Sequence, residues 1–192
     1  MQKYIPTLTI FVIATIWGVF ILDLVTPFSN FNSHGIRPRE LSGLKGVLLS
    51  PFLHANLLHI ISNTTAFIGS SILVIVSAGR RDLNLVFFSV LILSGIGTWL
   101  TSTAGVVVGL SGVIYGLIGF LFTFAIFHPS IRTWAAAFFS LILYSGAVLG
   151  LFKVSPYISW AGHFWGFVSG VVVAYALDKY RDGNSHKFHS GA

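Results

Sequence analysis

Residues 109–127 read Gly-Leu-Ser-Gly-Val-Ile-Tyr-Gly-Leu-Ile-Gly-Phe-Leu-Phe-Thr-Phe-Ala-Ile-Phe. From Leu110 onward the run carries no charge and approaches the ~20 residues with which a helix spans a bilayer core. It opens on a serine between Gly109 and Gly112. A hydroxyl at the start of an apolar helix is costly to desolvate and calls for a functional explanation.

Outward from this run the chain has the same character. Of its 192 residues, 55% are apolar and 8% charged, against about 25% charged in soluble domains. So few charges cannot cover a globular surface. Cutting at charges, Pro and Gly leaves six apolar runs, at about 5–26, 54–78, 83–101, 110–127, 133–151 and 159–177. Helices are the natural choice, because lipid offers no partners for backbone groups. The expected architecture is an all-α membrane protein, one domain over residues 1–192, with a six-helix core to residue 179 and a polar cytoplasmic tail from 180 to 192. Residues 27–53 form the longest connection. Its Pro and Gly residues alternate with hydrophobic pieces such as Leu44 and Val47-Leu48-Leu49, which suggests a loop lying in the interface.

The formal charge of +6 comes from eleven Lys and Arg against five acids. These basic residues are scattered, with no block longer than Arg80-Arg81, so they read as topology signals and not as a nucleic-acid surface. Six spans put both termini on one side, with Lys3, Arg80, Arg81, Arg132, Lys179, Arg181 and Lys187. Arg37, Arg39, Lys45 and Lys153 fall on the other. That bias predicts cytoplasmic termini and a Ser111 entrance facing outward. The chain has no cysteine, which excludes disulfides and thiol chemistry.

Gly-x-Ser-Gly taken by itself is compatible with small-residue packing between membrane helices. The sixth run supplies a partner. His163 lies beside Gly162, Gly166 and Gly170, whose i, i+4, i+8 spacing clears one helix face for close approach. The fourth run carries Gly112 and Gly116. Two such faces packed together would bring Ser111 and His163 within reach as nucleophile and base. Tyr115 lies one turn after Ser111, placed either to support the imidazole or simply to pack. None of Asp23, Glu40, Asp82, Asp178 and Asp182 is well placed to orient His163, so a Ser-His dyad is expected in place of a triad. In the second run Asn56, His59 and Asn63 share a face, which should turn inward. His59 and Asn63 would then donate to an oxyanion beside the Ser111 N–H, or serve as polar glue between helices. His54 reads as a loop-anchoring residue, and His34, His128, His186 and His189 as solvated. A metal site from His54, His59 and His163 has little support, because no His-Glu-x-x-His motif is present; no metal and no cofactor are expected.

Together these features resemble the rhomboid intramembrane serine proteases: six spans, Gly109-Leu110-Ser111-Gly112 opening the fourth, Gly162-His163-Phe164-Trp165-Gly166 in the sixth, and His54…His59…Asn63 in the second. The resemblance covers nearly the whole chain. It implies Ser111 as nucleophile, His163 as general base, His59 and Asn63 with the Ser111 N–H as the oxyanion hole, and Tyr115 stacked on His163. It also implies single-span membrane proteins as substrates. The expected location is a bacterial inner membrane, with an organellar membrane as the alternative. Three positions depart from the family pattern. Leu44-Lys45 stands where rhomboids often carry Trp-Arg, Gly162 where many have Ala, and Ile72-Leu73-Val74-Ile75 where many place a Glu. A transporter or channel, or a non-catalytic membrane-binding module of the same fold, are the competing classes; the first would work without Ser111.

Overall fold

The computed structural model describes residues 6–103, 105–143 and 160–189, with side chains of the last helix described through Asp182. The described residues form seven α-helices and no strand. They are α1 (Thr7–Val25), α2 (Gly46–Leu49), α3 (Leu57–Ser77), α4 (Arg80–Thr101), α5 (Ser111–Phe127), α6 (Ile131–Leu143) and α7 (Trp160–His189). Four are long and apolar enough to cross a membrane: α1, α3, α4 and the Trp160–Asp182 part of α7.

The fourth run of the sequence is shorter as a helix than a full span. α5 has 17 residues, about 25 Å at ~1.5 Å per residue. The reason lies in its surroundings. Every residue from Val113 to Leu121 is buried, so α5 is walled by other helices on all sides, as a helix apolar around its whole circumference should be. A helix that meets protein and not lipid need not match the hydrocarbon thickness, and irregular backbone is tolerated beside it where protein covers it. The fifth run, expected over 133–151, is helical from Ile131 to Leu143; its remainder lies outside the described residues. The polar segment from residue 180 continues the last helix, α7, as far as His189.

α7 packs along α5 through the glycines. A Cβ on Gly166 would run into the Gly112 carbonyl oxygen, and one on Gly170 into that of Gly116. In return, a Cβ on Gly119 would meet the Phe167 carbonyl. The missing side chain of Gly116 makes room for Val90 of α4 instead of α7. The contact is therefore α7 glycines against α5 backbone, closer than any larger residue allows. α4 lies antiparallel to α7 and is keyed to it at both ends. Trp165 Nε1 donates to Thr101 Oγ1 at 2.8 Å, with the indole seated on Gly97. At the far end Arg181 Nη2 donates to both oxygens of the buried Asp82 carboxylate, each at 2.6 Å.

The segment between α1 and α3 is tied down by its own polar groups. Asp23 accepts from Phe31 N at 3.0 Å and from Ser29 Oγ at 2.8 Å. Ile36 and Val107 exchange two backbone hydrogen bonds of 2.9 Å. Arg39 takes φ +61°; its N–H donates to the Trp99 carbonyl at 3.0 Å and its guanidinium to the Ser102 carbonyl at 3.0 Å. Trp99 Nε1 returns a bond to the Glu40 carbonyl at 2.8 Å. Where Leu44-Lys45 departs from the Trp-Arg pattern, Arg39 and Trp99 thus anchor this loop to the C-terminal end of α4. His128 is exposed as expected; it sits at the C-terminus of α5 with its ring against Phe124 and its Nε2 3.6 Å from Asp178.

Candidate active site

Gly109 holds the irregular chain in place just before α5. Its φ of +114° lies in the region that L side chains avoid, and its N–H donates to the Ser50 carbonyl at 2.8 Å. A Cβ there would lie 2.6 Å from His59 Nε2 and 3.2 Å from Asn63 Nδ2. Any other residue would be both strained and in collision with these two side chains. The glycine therefore sets His59 and Asn63 directly against the backbone that leads into Ser111.

Ser111 is the first residue of α5. The Leu110 carbonyl takes the Val113 and Ile114 N–H groups at 3.0 and 3.2 Å. The Ser111 and Gly112 N–H groups are first-turn donors with no acceptor inside the helix, at its positive dipole end. Ser111 Oγ lies 3.1 Å from His163 Nε2. His163 is one turn ahead of Gly166, so the close α5–α7 contact also fixes this separation. The Tyr115 ring stacks on the imidazole at 4.2 Å between centroids and 22° between planes. Ser111, His163, Tyr115, His59, Asn63 and the glycines 109, 112, 162 and 166 thus form one neighbourhood at the meeting of α3, α5 and α7.

His163 Nδ1 is buried and meets no hydrogen-bonding partner among the described residues. The acids are engaged elsewhere: Asp23 in the first loop, Glu40 near Arg37, Asp82 with Arg181 and Asp178 near His128, while Asp182 is exposed. No three His, Cys, Asp or Glu among the described residues converge as a metal site.

Two residues of the second run behave differently from the pattern. Asn56 shares a helical period with His59 and Asn63, but it is the N-cap of α3: its Oδ1 accepts from His59 N at 2.9 Å and its side chain is exposed. His54, expected to hold the loop, turns inward. It is 3% exposed, its Nε2 is 3.0 Å from Asn63 Nδ2, and its ring lies edge-on to His59 at 5.1 Å. Only its backbone carbonyl, accepting from Asn32 Nδ2 at 3.4 Å, does the work of an anchor. Burial and the neighbouring His59 push its pKa down to about 3. Spacing gave no hint of this contact, because His54 precedes the helix that carries Asn63.

The sequence profile of the rhomboid domain matches residues 42–180. The chain belongs to the rhomboid family. It is 33% identical over 174 residues to uncharacterized proteins of Mycobacterium tuberculosis and Mycobacterium bovis, which covers 86% of this chain and 72% of each relative. A relative from Mycobacterium leprae is also 33% identical over 174 residues, covering 85% of this chain and 68% of that protein. Rhomboids are intramembrane serine proteases as a family, and four helices apolar enough to cross a membrane fit a multi-pass membrane protein. The matched region of this rhomboid contains the whole neighbourhood just described, from His54 to His163.

Proposed function

We propose that this rhomboid is an intramembrane serine endopeptidase that cleaves single-span membrane proteins through a Ser111–His163 dyad. The observation that carries the reading is the 3.1 Å approach of Ser111 Oγ to His163 Nε2, at a helix N-terminus flanked by His59 and Asn63. His163 Nε2 takes the hydroxyl proton as Oγ attacks the scissile carbonyl. The oxyanion is held by the Ser111 N–H, His59 Nε2–H and Asn63 Nδ2–H. Collapse of the tetrahedral intermediate breaks the C–N bond, and His163 passes its proton to the leaving amine. Water then attacks the acyl-enzyme with His163 again as base, and the proton returns to Ser111. His163 Nδ1, which meets no hydrogen-bonding partner among the described residues, supports a dyad; Tyr115 keeps the imidazole in plane by stacking.

The chain works in this reading as a single membrane domain of six spans, α5 and α6 being the two shorter ones, in a bacterial inner membrane. Both termini are cytoplasmic and the site opens to the outer side, where water enters. No cofactor takes part.

The test uses purified protein in detergent with a fluorophosphonate probe. Wild type should label, while Ser111→Ala should not and His163→Ala should lose nearly all labelling. Labelling that persists in Ser111→Ala, or folded wild type that stays unlabelled, overturns the nucleophile assignment. Orientation is checked separately with Ser33→Cys, whose thiol should react with an impermeant maleimide on intact cells.

A further inference from the structure

We propose that His54 is a positioning residue that sets the direction of the Asn63 carboxamide, so that its N–H and not its carbonyl faces the oxyanion. This inference rests on the catalytic reading given above and adds a residue to it.

The argument starts from the shared atom. Asn63 Nδ2 is the atom 3.0 Å from His54 Nε2, and the same Nδ2 is the side-chain atom that a Cβ on Gly109 would approach, at 3.2 Å. One end of the amide therefore faces both His54 and the backbone before Ser111. A carboxamide presents either two donors or an acceptor at that end, and which it presents is set by its hydrogen-bond partner. If His54 Nε2 offers its lone pair, the NH2 end is held there, one hydrogen on His54 and the second free to point at a developing oxyanion. If Nε2 carried a proton, the amide would turn by half a rotation and put Oδ1 against the oxyanion, where two negative oxygens repel.

The environment selects the first arrangement. His54 is buried, and a buried imidazole between a neutral amide and a second imidazole stays uncharged, which leaves one nitrogen as an acceptor. Burial and His59 hold its pKa near 3. A neutral imidazole carries one proton; with Nε2 accepting from Asn63 Nδ2, that proton belongs on Nδ1, which is buried and meets no hydrogen-bonding partner among the described residues. Asn63 itself is 6% exposed, so water does not compete for its amide.

The experiment is a double-mutant cycle on the full chain in detergent, read by fluorophosphonate labelling rate and by kcat and KM on a single-span substrate. Asn63→Ala should slow the reaction by roughly 10²-fold, the usual effect of losing one oxyanion donor. His54→Phe keeps the ring and removes the acceptor; it should lower kcat by a similar factor with KM little changed, because the oxyanion exists only in the transition state. The double variant should be no slower than Asn63→Ala alone. His54→Gln, whose amide oxygen can accept in the place of Nε2, should recover most of the rate. If His54→Phe does not fold, His54→Asn, polar but too short to reach Asn63, takes its place with the same expected loss.

A His54→Phe rate near wild type overturns the proposal, as do multiplicative losses in the double variant or a His54→Gln as slow as His54→Phe. Failure of the catalytic reading looks different: wild type itself would not label at Ser111.

Discussion

Gly166→Ala tests whether the α5–α7 contact sets the distance between Ser111 and His163. Besides colliding with the Gly112 carbonyl oxygen, the added Cβ would lie 3.0 Å from the Gly112 carbonyl carbon and 3.1 Å from Tyr115 Cβ. Carbon atoms rest at about 3.5–4.0 Å, so the helices must part by roughly 0.5–1 Å. Two of the three obstructing atoms are backbone and cannot rotate away. Ser111 and His163 sit on the two helices that separate, and their 3.1 Å contact would open past the ~3.2 Å reach of a good hydrogen bond. A displacement near 1 Å costs on the order of 10² in rate. Overpacking destabilises by about 1–3 kcal/mol, offset by the ~0.5–1 kcal/mol that Ala gains over Gly in a helix. The expected outcome is a fluorophosphonate labelling rate down about 10²-fold, with only a modest fall in Tm in the same detergent. Gly18→Ala is the control: nothing lies within 4 Å of its added Cβ, so labelling should be unchanged. If Gly166→Ala labels within about twofold of wild type, the close contact does not set the dyad geometry and the reasoning fails.

Tyr115→Phe preserves the ring at 4.2 Å from His163 and should label nearly as wild type, whereas Tyr115→Leu should slow labelling by roughly 3–10-fold, the worth of an aromatic pair. Asp82→Asn removes the charge gripped by Arg181; because Arg181 is partly exposed, the loss is about 1–2 kcal/mol in unfolding free energy and not the larger cost of a fully buried pair. Labelling below the melting transition should hold, since that ion pair closes the end of the bundle away from Ser111. His54 binds a proton less readily folded, near pKa 3, than unfolded, near 6.5. Its contribution to stability is therefore complete above about pH 6.5 and falls as pH drops toward 3, by roughly 2 kcal/mol at pH 5. His54→Gln should flatten the acid side of a Tm-against-pH curve; an unchanged slope would show that His54 titrates normally. His59 faces it and His163 lies in the same neighbourhood, so His59→Gln and His163→Ala belong in the same series.

The proximity of Ser111 and His163 was legible because it depends on a periodic feature. Glycines at 162, 166 and 170 clear one face of α7, and the only surface flat enough to meet it closely is backbone such as that of Gly112 and Gly116. Tyr115 and the pair His59 and Asn63 were legible for the same reason, since helical spacing determines which side chains share a face. What escaped the sequence depends on contacts with no period. His54 reaches Asn63 from outside the helix, and Arg39 reaches Trp99 and Ser102 from a loop some sixty residues away in the chain. Asn56 misled because it satisfies two rules at once: it lies in register with the polar face, and it also stands just before the first apolar turn, where a capping side chain belongs.

The departures from the family pattern follow the same division. The first loop lacks Trp-Arg at Leu44-Lys45, and it is tied to α4 by an arginine and a tryptophan at other positions, Arg39 from the loop and Trp99 from α4. A loop needs donors that can reach the orphan carbonyls at the end of α4, and residues at several positions can supply them. Gly109 has no such latitude. Its φ, its bond to Ser50 and its contact with His59 and Asn63 must be met by one residue at once. Anchoring can move along the sequence while the backbone before Ser111 cannot, and for that reason the four residues from Gly109 to Gly112 decide the reading of this chain where the long loop does not.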